Sequence, residues 1–239
     1  MAHYVGQQPI MVAVDCIIFG FDGYHIKLLL IQRGFEPEKN KWSLMGGFLQ
    51  PTENLEQASS RILKQLTGLE DVYMEQLQTF GEVTRDPLER TISVVYFALI
   101  DIHKYEKQIS EQYHAEWFQL NKKPRLIFDH DEMVKMAQKQ LRYKASLHPL
   151  LFELLPEKFT IQKIQSLYEQ VYETTFDTRN FLRKLTASGL LIKQRQKDKS
   201  NSRKGAFYYK LDKKKYEVKQ SSFLKLLPKV QRLPVLATV

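Results

Sequence analysis

Residues 46–69 read GGFLQPTENLEQASSRILKQLTGL, and this stretch decides the fold. Its paired glycines, Gly46 and Gly47, let the backbone bend or lie close to a ligand. Pro51, Thr52 and Glu53 then lead into a helix. Leu55, Ala58, Ile62, Leu63 and Leu66 recur at helical spacing, which predicts one core-facing stripe, and Gly68 is a natural stop.

Working outward, residues 11–34 (MVAVDCIIFGFDGYHIKLLLIQRG) form two β-rich runs around Asp22-Gly23, a strong hairpin turn signal. Further strands are expected at 73–80 and at 91–100, the latter dense in β-branched and aromatic residues. Between them lies the polar loop GEVTRDPLER. AEWFQL is read as one more short strand, and DHDEMVKMAQKQLRYKAS as a helix begun by Asp129 or Asp131.

The spacing of Gly47, Glu53, Arg61 and Gly68-Leu69 resembles the Nudix box, G-x5-E-x7-R-E-U-x-E-E-x-G-U, over a region of roughly residues 10–145. The resemblance implies a cleft bordered by Gln32 and Arg33, by Met45 and Gly46, by the box helix with Glu53, and by a loop holding Glu82, Arg85, Asp86 and Arg90. It also implies Mg²⁺ held by the box glutamates, yet Ile62, Gln65 and Leu66 stand at those positions. Magnesium needs hard oxygen ligands in near-octahedral geometry, which Ile and Leu cannot supply. A scaffold without its catalytic metal site is expected: not an enzyme, with no metal and no cofactor. Polar groups beside aromatics such as Trp42 and Phe48 suit a polyhydroxylated ligand. Two points stay open here. Arg85, Asp86, Glu89 and Arg90 also fit a surface ion-pair cluster, and His130 either lines the cleft or caps its helix, with the cap favoured.

Composition bounds the rest. The single cysteine, Cys16, allows no intrachain disulfide and no cysteine metal cluster, which fits a reducing cytoplasm. The N-terminal residues carry no signal-peptide pattern, and nowhere do about 18 apolar residues run together, so neither secretion by that route nor membrane insertion is expected. Net charge is the informative quantity. Residues 1–155 hold 17 Lys/Arg against 20 Asp/Glu, and residues 156–239 hold 19 against 7, so the two parts carry −3 and +12. A basic second part points to a polyanion.

That second part has the order helix, short turn, helix, strand, loop, strand. Thr160 is an expected N-cap, with Ile161, Ile164, Leu167, Tyr168 and Val171 as the apolar stripe. Asp177 or Thr178 opens the next helix, in which Phe181, Leu182 and Leu185 face inward and Ser188-Gly189 forms the end. Its outward face presents Thr178, Arg179, Asn180, Arg183 and Lys184, side chains able to meet base edges or phosphates in a major groove. LLIKQR and AFYYKL read as strands flanking a basic loop, with Lys197, Lys199, Arg203 and Lys204 placed for phosphates or a minor groove.

The chain therefore resembles the Nudix-related transcriptional regulators. The fold class so implied is α+β, a Nudix-like α/β/α sandwich followed by a winged helix-turn-helix. The domains are expected at 1–148 and 149–239, and the apolar tail FLKLLPKVQRLPVLATV has two open placements, on the winged domain or at a dimer contact. The partners implied are double-stranded operator DNA, a small-molecule effector and a second copy of the chain, with no membrane. Among family members the arabinose-responsive regulators of Bacteroides-type bacteria are the nearest resemblance, which implies a sugar such as L-arabinose as effector. The alternatives are regulation by ADP-ribose-type NAD metabolites and a Mg²⁺-dependent hydrolase recruiting Glu53, Glu56 and Glu82. An RNA-binding adaptor is disfavoured, because the wing lacks an aromatic stacking platform.

Overall fold

The computed structural model describes residues 6, 8–105, 114–200 and 203–218, so the C-terminal tail at 223–239 lies outside the described residues. By its internal contacts the chain splits into two compact units, Met1–Gln140 and Leu141–Val239. The division falls inside a helix, whereas the sequence reading places the junction at 148/149, just past that helix.

In the first unit the strands are β1 (Met11–Phe21), β2 (Ile26–Gln32), β3 (Trp42–Ser43), β4 (Met45–Phe48), β5 (Glu75–Phe80), β6 (Thr91–Asp101) and β7 (Glu116–Gln119). They make one sheet of order β3-β2-β1-β6-β5, with β4 added to β1 and β7 to β2. β1 and β2 pair antiparallel, as the Asp22-Gly23 signal predicts, and the Asp22 carboxylate accepts from the amides of Tyr24 and His25. β1 and β6 are parallel over their full length, from Met11↔Thr91 to Phe21↔Asp101, so they form the buried centre of the sheet.

The box helix, α1 (Leu55–Thr67), starts at Asn54 in a reciprocal capping box with Gln57 and ends at Gly68 in the left-handed region, φ 79°. Its buried face, Ala58, Ile62 and Leu63, packs with Val14, Cys16 and Ile18 of β1 and Met45 of β4 in the core. A short helix α2 (Ile102–Tyr105) follows β6, and α3 (His130–Leu147) opens with Glu132 and Met133 donating to the Asp129 carbonyl.

The second unit contains β8 (Phe159–Thr160), α4 (Ile161–Tyr172), α5 (Thr178–Ala187), β9 (Leu191–Asp198), β10 (Ala206–Leu211) and α6 (Lys213–Val218). Thr160 caps α4 by accepting from Lys163, and Asp177 caps α5 by accepting from Asn180 at 2.8 Å. Ile164, Leu167, Tyr168 and Val171 of α4 and Phe181 and Leu185 of α5 are buried as their periodicity predicts, while Ile161 and Leu182 of the same stripes are half-buried. The strands order β8-β10-β9, all antiparallel, which completes a winged helix.

Candidate functional site

The first unit carries a cleft of about 190 Å³ lined in part by Gln32, Arg33, Phe35, Gly46, Phe48, Arg85 and Phe128. Its floor is built by strand alternation. Val14 and Cys16 point into the core with α1, so Asp15 between them points to the opposite face, where it is 4% exposed. Asp15 Oδ2 accepts from Ser93 Oγ at 2.5 Å. Gly46 faces it across the β1–β4 ladder, and a Cβ there would lie 2.3 Å from Asp15 Oδ1, so a larger residue would have to displace that carboxylate. At Gly47 a Cβ would meet Ile62 Cγ1 at 3.1 Å.

Arg85 closes the floor. Its guanidinium donates bidentately to Asp129 at 2.9 and 2.8 Å and lies 3.9 Å from Asp15. The side chain is 4% exposed, which removes the alternative of a surface ion-pair cluster. Burial of this charge is tolerable because its donors are met by carboxylates in fork geometry. His130 lies in the cleft wall, which overturns the favoured cap reading. Its Nδ1 accepts from the Leu44 amide at 3.2 Å, and Nε2 faces Asp15 Oδ1 at 3.7 Å. Burial depresses its pKa, with Asp15 and Asp129 opposing, so the ring is neutral with its proton on Nε2.

Of the sequence-named cleft residues, Gln32, Arg33, Gly46, Arg85 and Asp86 come together here. The other four are placed elsewhere. Met45 is fully buried in the core, because it and Gly46 alternate across β4. Glu53 is held by Arg61 Nε and Nη2 at 2.8 and 2.6 Å, and Arg61 also donates to the Phe48 carbonyl, so the pair ties the β4–α1 connection. The Glu82 carboxylate accepts from the Val83 amide, and Arg90 donates to the carbonyls of Gly81, Glu82 and Thr91, shaping their loop. Asp15, Phe35 and Phe128 were missed. Asp15 had a signal, a lone carboxylate inside the apolar run of β1, whereas Phe128 joins the cleft only through the tertiary fold.

Arg33 is the cation that the cleft leaves available. Its Nε donates to the Phe35 carbonyl at 3.2 Å, its Cζ lies 4.0 Å from the Phe35 ring centre and 5.6 Å from that of Phe128. Among the described residues no carboxylate lies within ion-pair distance of it. The implied Mg²⁺ does not fit this chain. Ile62 is a core residue, Glu53 is committed to Arg61, and among the described residues no three His, Cys, Asp or Glu side chains gather as a metal site. Cys16 is no nucleophile, since burial and then Asp15 push its thiol pKa up.

In the second unit Thr178, Arg179, Asn180 and Arg183 are exposed on α5 and Lys184 is half-buried. Gln165 of α4 orients the start of that helix. Its Nε2 lies 3.1 Å from the Phe176 carbonyl, 3.2 Å from Thr178 Oγ1 and 3.0 Å from Glu169 Oε1, which also accepts the Phe176 amide. Lys197, Lys199, Arg203 and Lys204 are exposed at the β9–β10 loop. Among the described residues no helix is long and apolar enough to cross a membrane.

The chain matches the NUDIX domain family over residues 9–138 and the NrtR DNA-binding winged helix domain over residues 151–211. It is 34% identical over 205 residues to the ADPR responsive transcriptional repressor NtrR of Acinetobacter baylyi, covering 84% of this chain and 82% of that protein. It is 37% identical over 125 residues to the ADP-ribose pyrophosphatase of Methanocaldococcus jannaschii, covering 52% of this chain and 70% of that one. Shewanella oneidensis NrtR, solved with a 27mer DNA, superposes with a TM-score of 0.73 at 30% identity, covering 84% of this chain and 93% of that chain. With a NUDIX domain followed by a winged helix, matched across both parts by such relatives, the chain belongs to the NrtR-type Nudix-related transcriptional regulators.

Proposed function

We propose that the protein is an operator-binding transcriptional repressor, acting as a homodimer, whose Nudix-like cleft senses a small molecule and alters DNA binding without cleaving it. The observation that carries this is the exposed basic face of α5 on a winged unit, in one chain with a Nudix-like unit whose box has Ile62, Gln65 and Leu66 at its metal positions. Arg179, Arg183 and Lys184 then meet bases and phosphates, with Lys199, Arg203 and Lys204 on the loop side.

For the effector, the relatives favour ADP-ribose over the sugar named from sequence, since the similar Acinetobacter repressor is ADPR responsive. The cleft chemistry agrees with that class. Arg33 offers to a diphosphate a guanidinium that no carboxylate among the described residues holds in an ion pair, and Phe35 and Phe48, both exposed at the mouth, offer faces to an adenine. A neutral pentose such as L-arabinose is the second reading. The cavity of about 190 Å³ favours it, being below the usual range of about 300–1,000 Å³ for ligand pockets.

The test is fluorescence anisotropy on duplex DNA from the gene's own upstream region, at fixed salt, with ADP-ribose and L-arabinose titrated separately, each with Mg²⁺ and with EDTA. Release by ADP-ribose in EDTA supports the first reading, and release by arabinose alone replaces it with the second. Mg²⁺-dependent turnover of ADP-ribose by the purified chain would defeat the non-enzymatic assignment. Sedimentation equilibrium checks the dimer.

A further inference from the structure

The β9–β10 ribbon carries an arrangement that neither the recognition helix nor the loop tip accounts for. Lys197 pairs with Phe207 and Lys193 with Tyr209, so three residues of β9, Gln194, Arg195 and Gln196, run opposite the single Tyr208 of β10, and the register shifts there. The excess length in β9 brings both lysines to one ring. Lys193 Nζ lies 3.8 Å and Lys197 Nζ 4.5 Å from the Phe207 ring centre, and Lys197 is also tied to the Lys204 carbonyl at 3.3 Å. Both lysines are exposed. Among the described residues neither ammonium has a carboxylate within ion-pair distance, and the ribbon's own acid, Asp198, accepts from the Ser200 amide and hydroxyl instead.

Two like charges against one ring repel each other, and the negative face of the ring offsets this only in part. A bound anion completes the balance. We propose that Phe207 gathers Lys193 and Lys197 into a two-cation seat for the DNA phosphate backbone on the strand part of the wing. This rests on the DNA-binding reading above. It adds Lys193 as a contact and Phe207 as a positioning residue, and it predicts a sequence-independent contribution, because the phosphate backbone is the same at every site.

The full-length chain is titrated by anisotropy onto the upstream duplex and onto a scrambled duplex of equal length, across a salt series. Lys193→Gln is expected to weaken both duplexes alike and to make the slope of log K against log salt shallower by about 0.9. Phe207→Leu keeps both charges and is expected to lose about two- to fivefold in affinity, with Phe207→Tyr restoring it. Thermal unfolding identifies a folding defect in the Phe207 variants, in which case the exposed Lys193→Gln carries the test. Wild-type affinity and slope in Lys193→Gln overturn the seat, and wild-type affinity in a folded Phe207→Leu overturns the positioning role. A wild-type chain that binds neither duplex defeats the DNA-binding reading itself.

Discussion

At the floor of the cleft one guanidinium is shared between carboxylates from distant parts of the chain. Arg85 is 4% exposed, bonded to Asp129 and near Asp15, so removing one partner leaves a buried charge short of its counterion. Asp129→Ala is therefore expected to destabilise the first unit by about 3 kcal/mol, the low end of the range because Asp15 remains at hand. Arg85→Met with Asp129→Leu is expected to cost less than Asp129→Ala alone, and urea denaturation of the three variants checks this order. His130 gives a pH prediction. Its folded pKa is depressed below the ordinary histidine value of 6.5, so the unfolded state takes up a proton first on acidification. The stability it contributes is complete above pH 6.5 and is lost as pH falls below it toward the folded pKa. The denaturation midpoint should drop between pH 7.5 and 5.5, and the drop should shrink in His130→Gln.

At the scale of elements, α1 keeps the frame of the Nudix box with other residues at the positions of its glutamates. Its caps and its Glu53–Arg61 tie are intact, while Ile62 has joined the core beneath Gly47. The helix was legible because its apolar period, its acidic lead-in and its terminal glycine all act locally. α5 was legible for the same reason, down to the Asp177 cap. What orients α5 was not, because Gln165 sits on a different helix and is 8% exposed, a buried amide that periodicity cannot distinguish from a surface one. Gln165→Leu removes the donor to Phe176 and Thr178 without creating a cavity. DNA affinity is expected to fall about tenfold, equal to about 1.4 kcal/mol, while the helical content of the unit is kept. Anisotropy together with far-UV circular dichroism measures both, and unchanged affinity would remove Gln165 from the orienting role.

For the whole molecule, the charge asymmetry of −3 against +12 separates the Nudix part from the basic winged-helix part. If effector and DNA binding are coupled by about 1–3 kcal/mol, effector should change DNA affinity by roughly 5- to 150-fold. Linkage then requires DNA to change effector affinity by the same factor. Calorimetric titration of effector into the free protein and into the DNA complex tests this, and unequal factors would mean the two ligands do not act through one shared equilibrium.

From sequence alone came the order of the main elements, without the short α2, β8 and α6, together with the box register, the absence of its acids and the basic character of the second part. Those properties depend on neighbours within a few residues, or on composition, and need no three-dimensional arrangement. Which polar side chains share a site emerges only when the chain is folded. Folding took Met45 into the core, committed Glu53 to Arg61, and drew Asp15, Arg85 and the adjacent pair Asp129-His130 into one cluster from three separate segments. The reason is physical: a buried charge is tolerated only where a partner arrives, and partners that arrive across the fold leave no spacing in the chain.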